Sequence, residues 1–152
     1  MKKVIALCLW LASAAALAQI QQVKPVDSQQ TFGEYTVHYS VFNSTFITPE
    51  VARLYQLTRA KDRVLVNVSV TKALENGSTL GLPARVSGTA TNLLQQQRPL
   101  EFITLSEGEA TYYLASLRHT SEEVINFAIT LQPEGSDQSM VVRFSRTLYL
   151  EP

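Results

Sequence analysis

The side chains of this sequence that could do chemistry are two histidines and two short polar runs. His38 and His119 are the only imidazoles, and a hydrolase would need one of them beside a hydroxyl nucleophile. The run Asn43-Ser44-Thr45 follows His38 by five residues and offers two hydroxyls and an amide. A second run, Ser87 to Asn92, combines hydroxyls with a terminal amide. The candidates for binding a ligand or a partner are therefore His38, Asn43, Ser44, Thr45 and Asn92.

Both runs also have a structural interpretation that competes with the chemical one. Asn, Ser and Thr at a corner satisfy loose backbone groups, and this role is favoured for Asn43–Thr45 and for Ser87–Asn92. His38 falls on the polar side of an alternating segment, where a histidine is usually solvated or hydrogen-bonded. His119 precedes two hydroxyl residues, but adjacency in a loop does not form a triad, and no Gly-x-Ser-x-Gly motif occurs. We assign no catalytic residue.

Metal and cofactor chemistry has little support in the residue pattern. The two histidines lie 81 positions apart and form no HxH or HxxxH pair, whereas metal sites cluster such ligands. Four glutamates near predicted turns have the ordinary role of solvated carboxylates; they are Glu107, Glu109, Glu122 and Glu123. No Gly-rich phosphate loop occurs. The sequence therefore predicts no metal site and no cofactor.

Residues 1–18 have the pattern of a secretory signal peptide. Lys2 and Lys3 precede an apolar run, and Ala16 and Ala18 are small residues at the positions that signal peptidase reads. The apolar run, Val4 to Ala16, is shorter than the roughly 20 residues that a membrane span requires. We expect cleavage after Ala18, export to the periplasm or beyond it, and no membrane span in the mature protein.

Cleavage would change the composition in ways that exclude some partners. The lone cysteine, Cys8, and the lone tryptophan, Trp10, leave with the signal peptide. Losing Lys2 and Lys3 leaves eleven basic residues against thirteen acidic ones, a net charge of about −2. Such a balance gives no electrostatic footprint for nucleic acid or for an anionic membrane. An exported protein without disulfides is typical of a bacterial envelope, so the expected partner is an unknown envelope protein or a small ligand.

The remaining chain alternates polar and apolar residues with the period of β-strands. We predict an all-β fold, an antiparallel immunoglobulin-like sandwich of about seven strands, with a closed barrel as the alternative. Residues 19–30 are predicted to be a flexible leader and residues 31–152 a single domain. The predicted strands cover residues 32–43, 64–71, 82–91, 100–105, 109–117, 125–132 and 140–150, and we expect the second and third to pair.

One short helix is predicted directly after the first strand. The run Thr48-Pro49-Glu50 supplies an N-cap, a proline suited to the first helical position and a carboxylate for the positive end of the dipole. Val51, Leu54 and Tyr55 then form an apolar stripe. The helix should end near Leu57, and this stripe should pack on the sheet because so short a helix is not stable alone.

Four runs of the mature chain resemble a known family of small secreted proteobacterial proteins. They are FGEYTVHYSVFNSTFITPEVARLYQL, RVLVNVSV, VSGTATNLLQQQRPLEF and EATYYLASL. The family is domain of unknown function 4426, and the resemblance extends over essentially the whole mature chain. Its most specific parts are Phe42–Phe46 and Gly88–Asn92. The resemblance implies a periplasmic or secreted β-sandwich of a Gram-negative bacterium, and it brings no established activity and no catalytic residue.

The sequence leaves more than one class of function open. The leading hypothesis is a non-enzymatic interaction or accessory module of the cell envelope, because no reactive group is identifiable. The alternatives are a protein that binds a small ligand between helix and sheet, and an unrecognised hydrolase that uses the polar corner near His38 and Asn43–Thr45. A deep pocket that joins His38, Asn43 and Asn92 would favour the hydrolase, and a solvated His38 would favour the module.

We expect the exported protein to begin at Gln19. Signal peptidase reads small residues at Ala16 and Ala18, so intact-mass analysis of protein recovered from the periplasm should show the loss of residues 1–18. A mass that still includes these residues would contradict the prediction.

Overall fold

The computed structural model describes residues 26–152, and the predicted signal peptide and most of the predicted leader lie outside this range. The described chain contains ten strands, a 3₁₀ turn at Ser44–Phe46 and the helix α1 at Pro49–Leu54. The strands are β1 (Gln29–Phe32), β2 (Tyr35–Asn43), β3 (Arg63–Leu74), β4 (Gly77–Ser78), β5 (Ala84–Asn92), β6 (Gln97–Leu100), β7 (Phe102–Glu107), β8 (Ala110–Arg118), β9 (Glu123–Pro133) and β10 (Met140–Leu148).

The strands form two antiparallel sheets. The first has the order β1-β2-β3-β8-β7, with β4 paired to the end of β3, and the second has the order β10-β9-β5-β6. Without the short β1 and β4, this is the arrangement of strands A-B-E-D and G-F-C in immunoglobulin domains, with β6 in the place of C′. The predicted sandwich is confirmed. The barrel alternative is wrong, because no ladder joins the two sheets in the described part of the chain.

The core lies between the sheets and follows the alternation of the strands. The inward residues of β3 and β9 are buried in one cluster; they are Val64, Val66, Val68, Val70, Ile125, Phe127, Ile129 and Leu131. The rings of Tyr39 and Phe127 both stack on Phe144, with centroid distances of 4.3 Å and 5.0 Å. These three rings join β2 of the first sheet to β9 and β10 of the second. Such aromatic pairs contribute about 0.5–1.5 kcal/mol each beyond their buried area.

In the structure, a turn divides the first predicted strand, and most of its residues form β2 of the β1–β2 hairpin. Gly33 has a φ of +61° and turns the chain between β1 and β2, so the expectation of one continuous strand from Phe32 is wrong. The last two residues of the predicted leader, Gln29 and Gln30, belong to β1 and pair with β2. The ordered domain therefore includes residues before Thr31.

The expected pairing between the second and third predicted strands is also wrong. These strands are β3 and β5, and they lie in different sheets, β3 between β2 and β8 and β5 between β6 and β9. The chain crosses from one sheet to the other after β4. There the N–H of Ala84 donates a hydrogen bond to the hydroxyl of Tyr113 at 2.6 Å, which links the start of β5 to β8. A turn signal fixes only the local reversal, and it pairs β3 with the two residues of β4.

Helix α1 has the predicted cap but a different buried face. The Oγ1 of Thr48 accepts a hydrogen bond from the N–H of Val51 at 3.3 Å. Leu54 is 73% exposed, so its predicted burial is wrong. Ala52 is the buried residue of the helix, while Val51 and Tyr55 are half-buried. A helix of six residues has fewer than two turns, so the attachments of its flanking segments set its orientation.

The connection from β2 to β3 covers part of the outer face of the first sheet. Leu65 lies between two core valines of β3 and so points to the opposite face, yet it is fully buried, and the 3₁₀ turn contacts β3. Ser44 is fully buried as well. Its hydroxyl donates to the carbonyl oxygen of Ala60 at 3.0 Å and accepts from the N–H of Ala60 at 2.9 Å. This pair of hydrogen bonds ties the two ends of the connection together.

We expect Leu65→Ala to lower the free energy of unfolding by about 2–5 kcal/mol, because it removes a buried side chain and leaves a cavity. The matched substitution Leu54→Ala should change it by less than about 0.5 kcal/mol, because that side chain is exposed. Urea titration of both variants measures the difference. Equal losses from the two substitutions would contradict the described orientation of the connection.

Candidate functional site

The two ends of the sandwich differ in their connections. We call one of them the loop end; it carries residues 44–62 between β2 and β3, residues 93–96 between β5 and β6, residues 119–122 between β8 and β9, and residues 149–152 after β10. The ladders place these segments together, with Asn43 opposite Val64, Arg63 opposite Arg118, Asn92 opposite Ile125 and Leu148 opposite Glu123. The other end, the turn end, carries the short reversals at β1–β2, β3–β4, β7–β8 and β9–β10.

Backbone conformation separates the two ends. Each reversal of the turn end has a glycine with positive φ, which glycine adopts without steric cost. At the loop end, Gln56, Gln95 and Glu122 have φ values of 55°, 62° and 56°. A side chain in this region costs about 1–3 kcal/mol, and such residues concentrate at functional sites. The loop end therefore holds strained backbone where the turn end holds ordinary turns.

Large apolar side chains are exposed mainly at the loop end. Six of the nine exposed large hydrophobic residues in the described chain belong to it: Phe46, Leu54, Leu93, Leu94, Tyr149 and Leu150. Leu93 and Leu94, 66% and 79% exposed, form the tip of the β5–β6 hairpin. The Oδ1 of Asn92 accepts hydrogen bonds from the N–H groups of Leu94 and Gln96 at 3.1 Å and 3.0 Å. The hairpin thus holds its two leucines in a fixed position toward solvent.

A cleft of about 620 Å³ opens among these segments. Its walls come from β5, β6, the β8–β9 connection and the chain around Asp62 and Leu150; the lining residues are Asp62, Asn92, Gln96, Arg98, Arg118, His119, Thr120, Glu123 and Leu150. Its four charged side chains form two ion pairs, Arg98 to Glu123 at 3.2 Å and Arg118 to Asp62 at 2.5 Å. The volume lies within the range of small-molecule sites, and the charge of the walls is balanced.

Two groups have shifted pKa values. The hydrogen bond from Arg118 holds the pKa of the Asp62 carboxyl below its ordinary value, against an opposing effect of desolvation. Burial, reinforced by the charge of Asp27, raises the pKa of the Tyr39 hydroxyl. Tyr39 belongs to the ring stack of the core, so its shift reflects packing rather than a reactive site.

The structure does not bring the sequence candidates His38, Asn43 and Asn92 together. His38 lines a shallow cleft on the outer face of the first sheet, where its Nε2 lies 3.0 Å from the Oγ1 of Thr71. Asn43 lies five residues further along β2, or about 17 Å at the rise of an extended strand, and lines a separate cleft. Asn92 lines the loop-end cleft. Each of these three clefts thus contains one of the three residues.

The other two candidates hold the β2–β3 connection in place. Ser44 is buried and bonded twice to Ala60, so its hydroxyl is closed to an external ligand. Thr45 donates its hydroxyl proton to Glu151 Oε1, and its carbonyl oxygen accepts from the Arg59 guanidinium at 3.0 Å. These contacts support the structural interpretation of the polar corner.

Sequence reasoning missed most of the cleft. Only Asn92 was among the predicted candidates, because Asp62, Arg98 and His119 lie in separate parts of the chain with no common motif. The available signal was that most strands meeting at this end, although not β10, have a polar or charged residue at their terminus there. In the described residues, no group of three or more His, Cys, Asp and Glu side chains could hold a metal ion. Within the same residues, no helix has the length and apolarity of a membrane span.

Comparison with known proteins places the fold in a family. The family described as domain of unknown function DUF4426 matches residues 29–151. Among solved structures, the chain is similar to a DUF4426 family protein from Pseudomonas aeruginosa at 31% identity and a TM-score of 0.72, over 82% of this chain and 95% of that one. No curated protein matches it.

A second likeness concerns the fold alone. The chain is similar to FetP of uropathogenic Escherichia coli strain F11, which was recombinantly expressed in the periplasm of Escherichia coli BL21(DE3), at 13% identity and a TM-score of 0.61 over 85% of this chain and 97% of that one. The copper-bound structure of a FetP variant gives 13% identity and a TM-score of 0.62 over 84% and 97%.

We expect the Asp62–Arg118 pair to make stability depend on pH. Because the folded-state pKa of Asp62 is lowered, the contribution is complete above the unfolded value of about 3.9 and is lost as the pH falls through the folded value. The melting temperature of Asp62→Asn should therefore lie below that of the wild type at pH 7, and the gap should close in acid.

The melting temperature of Arg118→Gln should also lie below that of the wild type at pH 7, and this difference should likewise close in acid. Asp137→Asn is the control variant, because the Asp137 carboxyl has no ion-pair partner in the described chain. A gap between wild type and Asp62→Asn that stays constant from pH 7 to pH 3 would contradict the assignment. Differential scanning calorimetry across this range provides the measurement.

Proposed function

This chain belongs to the DUF4426 family, and we propose that it is a non-enzymatic interaction or accessory module of the Gram-negative cell envelope that binds a protein through its loop end. The observation that supports this most is the concentration of exposed apolar side chains on the connections of one end. Monomeric proteins rarely leave large apolar residues grouped at the surface unless that surface binds something. The strained backbone at Gln56, Gln95 and Glu122 lies at the same end.

The charges around these residues favour a protein as the partner. Three of the four ion pairs of the described chain lie at or beside the loop end: Arg53–Glu50, Arg98–Glu123 and Arg118–Asp62. Protein interfaces combine an apolar centre with a polar rim. Binding to an anionic membrane is favoured by basic side chains that have no acidic partner. At the loop end the acidic side chains balance the basic ones.

Export to the periplasm is part of the proposal. It draws on the signal-peptide pattern of residues 1–18 and on the absence of cysteine from the rest of the chain. The periplasmic expression of FetP, which has a similar fold, agrees with this location.

The hydrolase alternative has less support than the binding module, because His38, Asn43 and Asn92 line three separate clefts. Copper binding by the FetP variant does not transfer either. A copper site needs several soft or imidazole ligands, and the described residues form no cluster of three His, Cys, Asp or Glu side chains. We therefore derive no metal chemistry for this chain.

The proposal predicts that partner capture depends on the loop end. Capture of an envelope protein by the tagged chain should fall at least about tenfold in the double variant Leu93→Ser, Leu94→Ser. Truncation of an interface hot spot costs about 2 kcal/mol or more of binding free energy. Both side chains are exposed, so the melting temperature should stay close to that of the wild type. Quantitative mass spectrometry after cross-linking in the periplasm measures the capture.

The matched control is Leu74→Ser, Leu80→Ser, which removes two leucines of similar exposure, 57% and 59%, at the turn end. It should capture as the wild type does. If both double variants lose capture equally, or if neither does, the loop end is not the binding surface.

A further inference from the structure

One buried polar atom of a residue that lines the loop-end cleft has no partner in the described chain. The side chain of His119 is only 4% exposed, and its Nδ1 lies 2.8 Å from the carbonyl oxygen of Thr120. A carbonyl oxygen can only accept, so Nδ1 holds the proton, and in the neutral ring Nε2 is a hydrogen-bond acceptor. Within residues 26–152 this Nε2 is buried and finds no donor. Buried polar atoms are nearly always paired, so Nε2 marks a position where a donor is missing.

Several other polar groups of the cleft bond to one another. Arg98 donates to the carbonyl oxygen of Arg118 at 2.5 Å and to Glu123 Oε1 at 3.2 Å. Glu123 Oε2 also accepts from the N–H of Thr120 at 2.8 Å. The amide of Asn92 donates to Gln96 Oε1 at 2.7 Å. Among the lining residues in the described chain, Nε2 of His119 is thus the buried side-chain atom that has no hydrogen-bond partner.

These properties define the chemical class of a ligand. The ion pairs Arg98–Glu123 and Arg118–Asp62 balance the charge of the walls, so a free anion or cation would gain little there. Leu150 adds an apolar wall, and the cleft of about 620 Å³ has room for a molecule of moderate size. The open acceptor calls for a single N–H or O–H donor.

We propose that the loop-end cleft binds an uncharged, partly apolar small molecule that donates one hydrogen bond to Nε2 of His119. This site shares Leu150 with the protein-binding surface proposed above, but it rests on His119 and the cleft and not on the hairpin tip. Nε2 itself is buried, so entry requires side chains at the mouth of the cleft to move. The side chains of Arg118 and Leu150, both exposed, can supply this movement.

Indole and 1-methylindole provide a matched pair of probes, because both are uncharged and apolar and only indole has an N–H. We expect indole to shift the backbone amide signals of residues 118–123 in a saturable NMR titration of the exported protein, and to shift the Nε2 signal of His119. The affinity for 1-methylindole should be at least about fivefold weaker, since it leaves the acceptor unpaired.

The variant His119→Phe should bind the two probes equally, because it keeps a flat ring and removes the acceptor. His38→Ala alters the other histidine and should keep the preference for indole. Equal affinity of the unmodified protein for both probes, or no saturable binding at millimolar concentration, would overturn the proposal, and neither result needs the variant to fold. Saturable shifts confined to residues outside the cleft would overturn it too. Loss of partner capture in the hairpin variant is a separate outcome that leaves this site unaffected.

Discussion

The fold depends on burying one face of each sheet against the other. Alternate residues of β3 and β9 meet in one cluster, and the rings of Tyr39, Phe127 and Phe144 join the two sheets. Period-two alternation places every second side chain of a strand on the outer face of its sheet. The inner face is used for the core, so the strands leave little buried surface for a deep pocket. The connections at the two ends are the places where polar and apolar groups can converge without disturbing the ladders.

The two ends use that freedom differently. The turn end reverses the chain by the shortest route, with glycine at the positions that need positive φ. At the loop end, the chain takes a longer path through a 3₁₀ turn and α1, and hydrogen bonds between Ser44 and Ala60 hold this path against the first sheet. The hairpin capped by Asn92 and the connection through His119 complete the same end. An ordered scaffold thus presents apolar side chains to solvent and encloses a cleft beside them.

The residues of this end support the proposed role in recognition. Catalysis by a hydroxyl nucleophile requires a base at hydrogen-bonding distance, and the histidine that has a hydroxyl at that distance is His38, which does not line the loop-end cleft. The Nε2 of His38 lies beside Thr71 on the sheet, and His119 uses Nδ1 to hold the backbone of Thr120. Paired charges around exposed leucines suit the binding of another surface, and the open acceptor of His119 suits a small donor.

The sequence by itself determined the local features of this protein. Alternation located seven of the ten strands, and Thr48-Pro49 located the start of α1, because strand faces and helix caps depend on residues a few positions apart. Only the tertiary structure decided that β3 pairs with β8 and not with β5, that Ala52 and not Leu54 is buried, and that Ser44 is buried. It alone also brought Asp62, Arg98, His119 and Leu150 to one cleft. These outcomes depend on which distant segments bury one another's surface, and a local pattern contains no information about that choice.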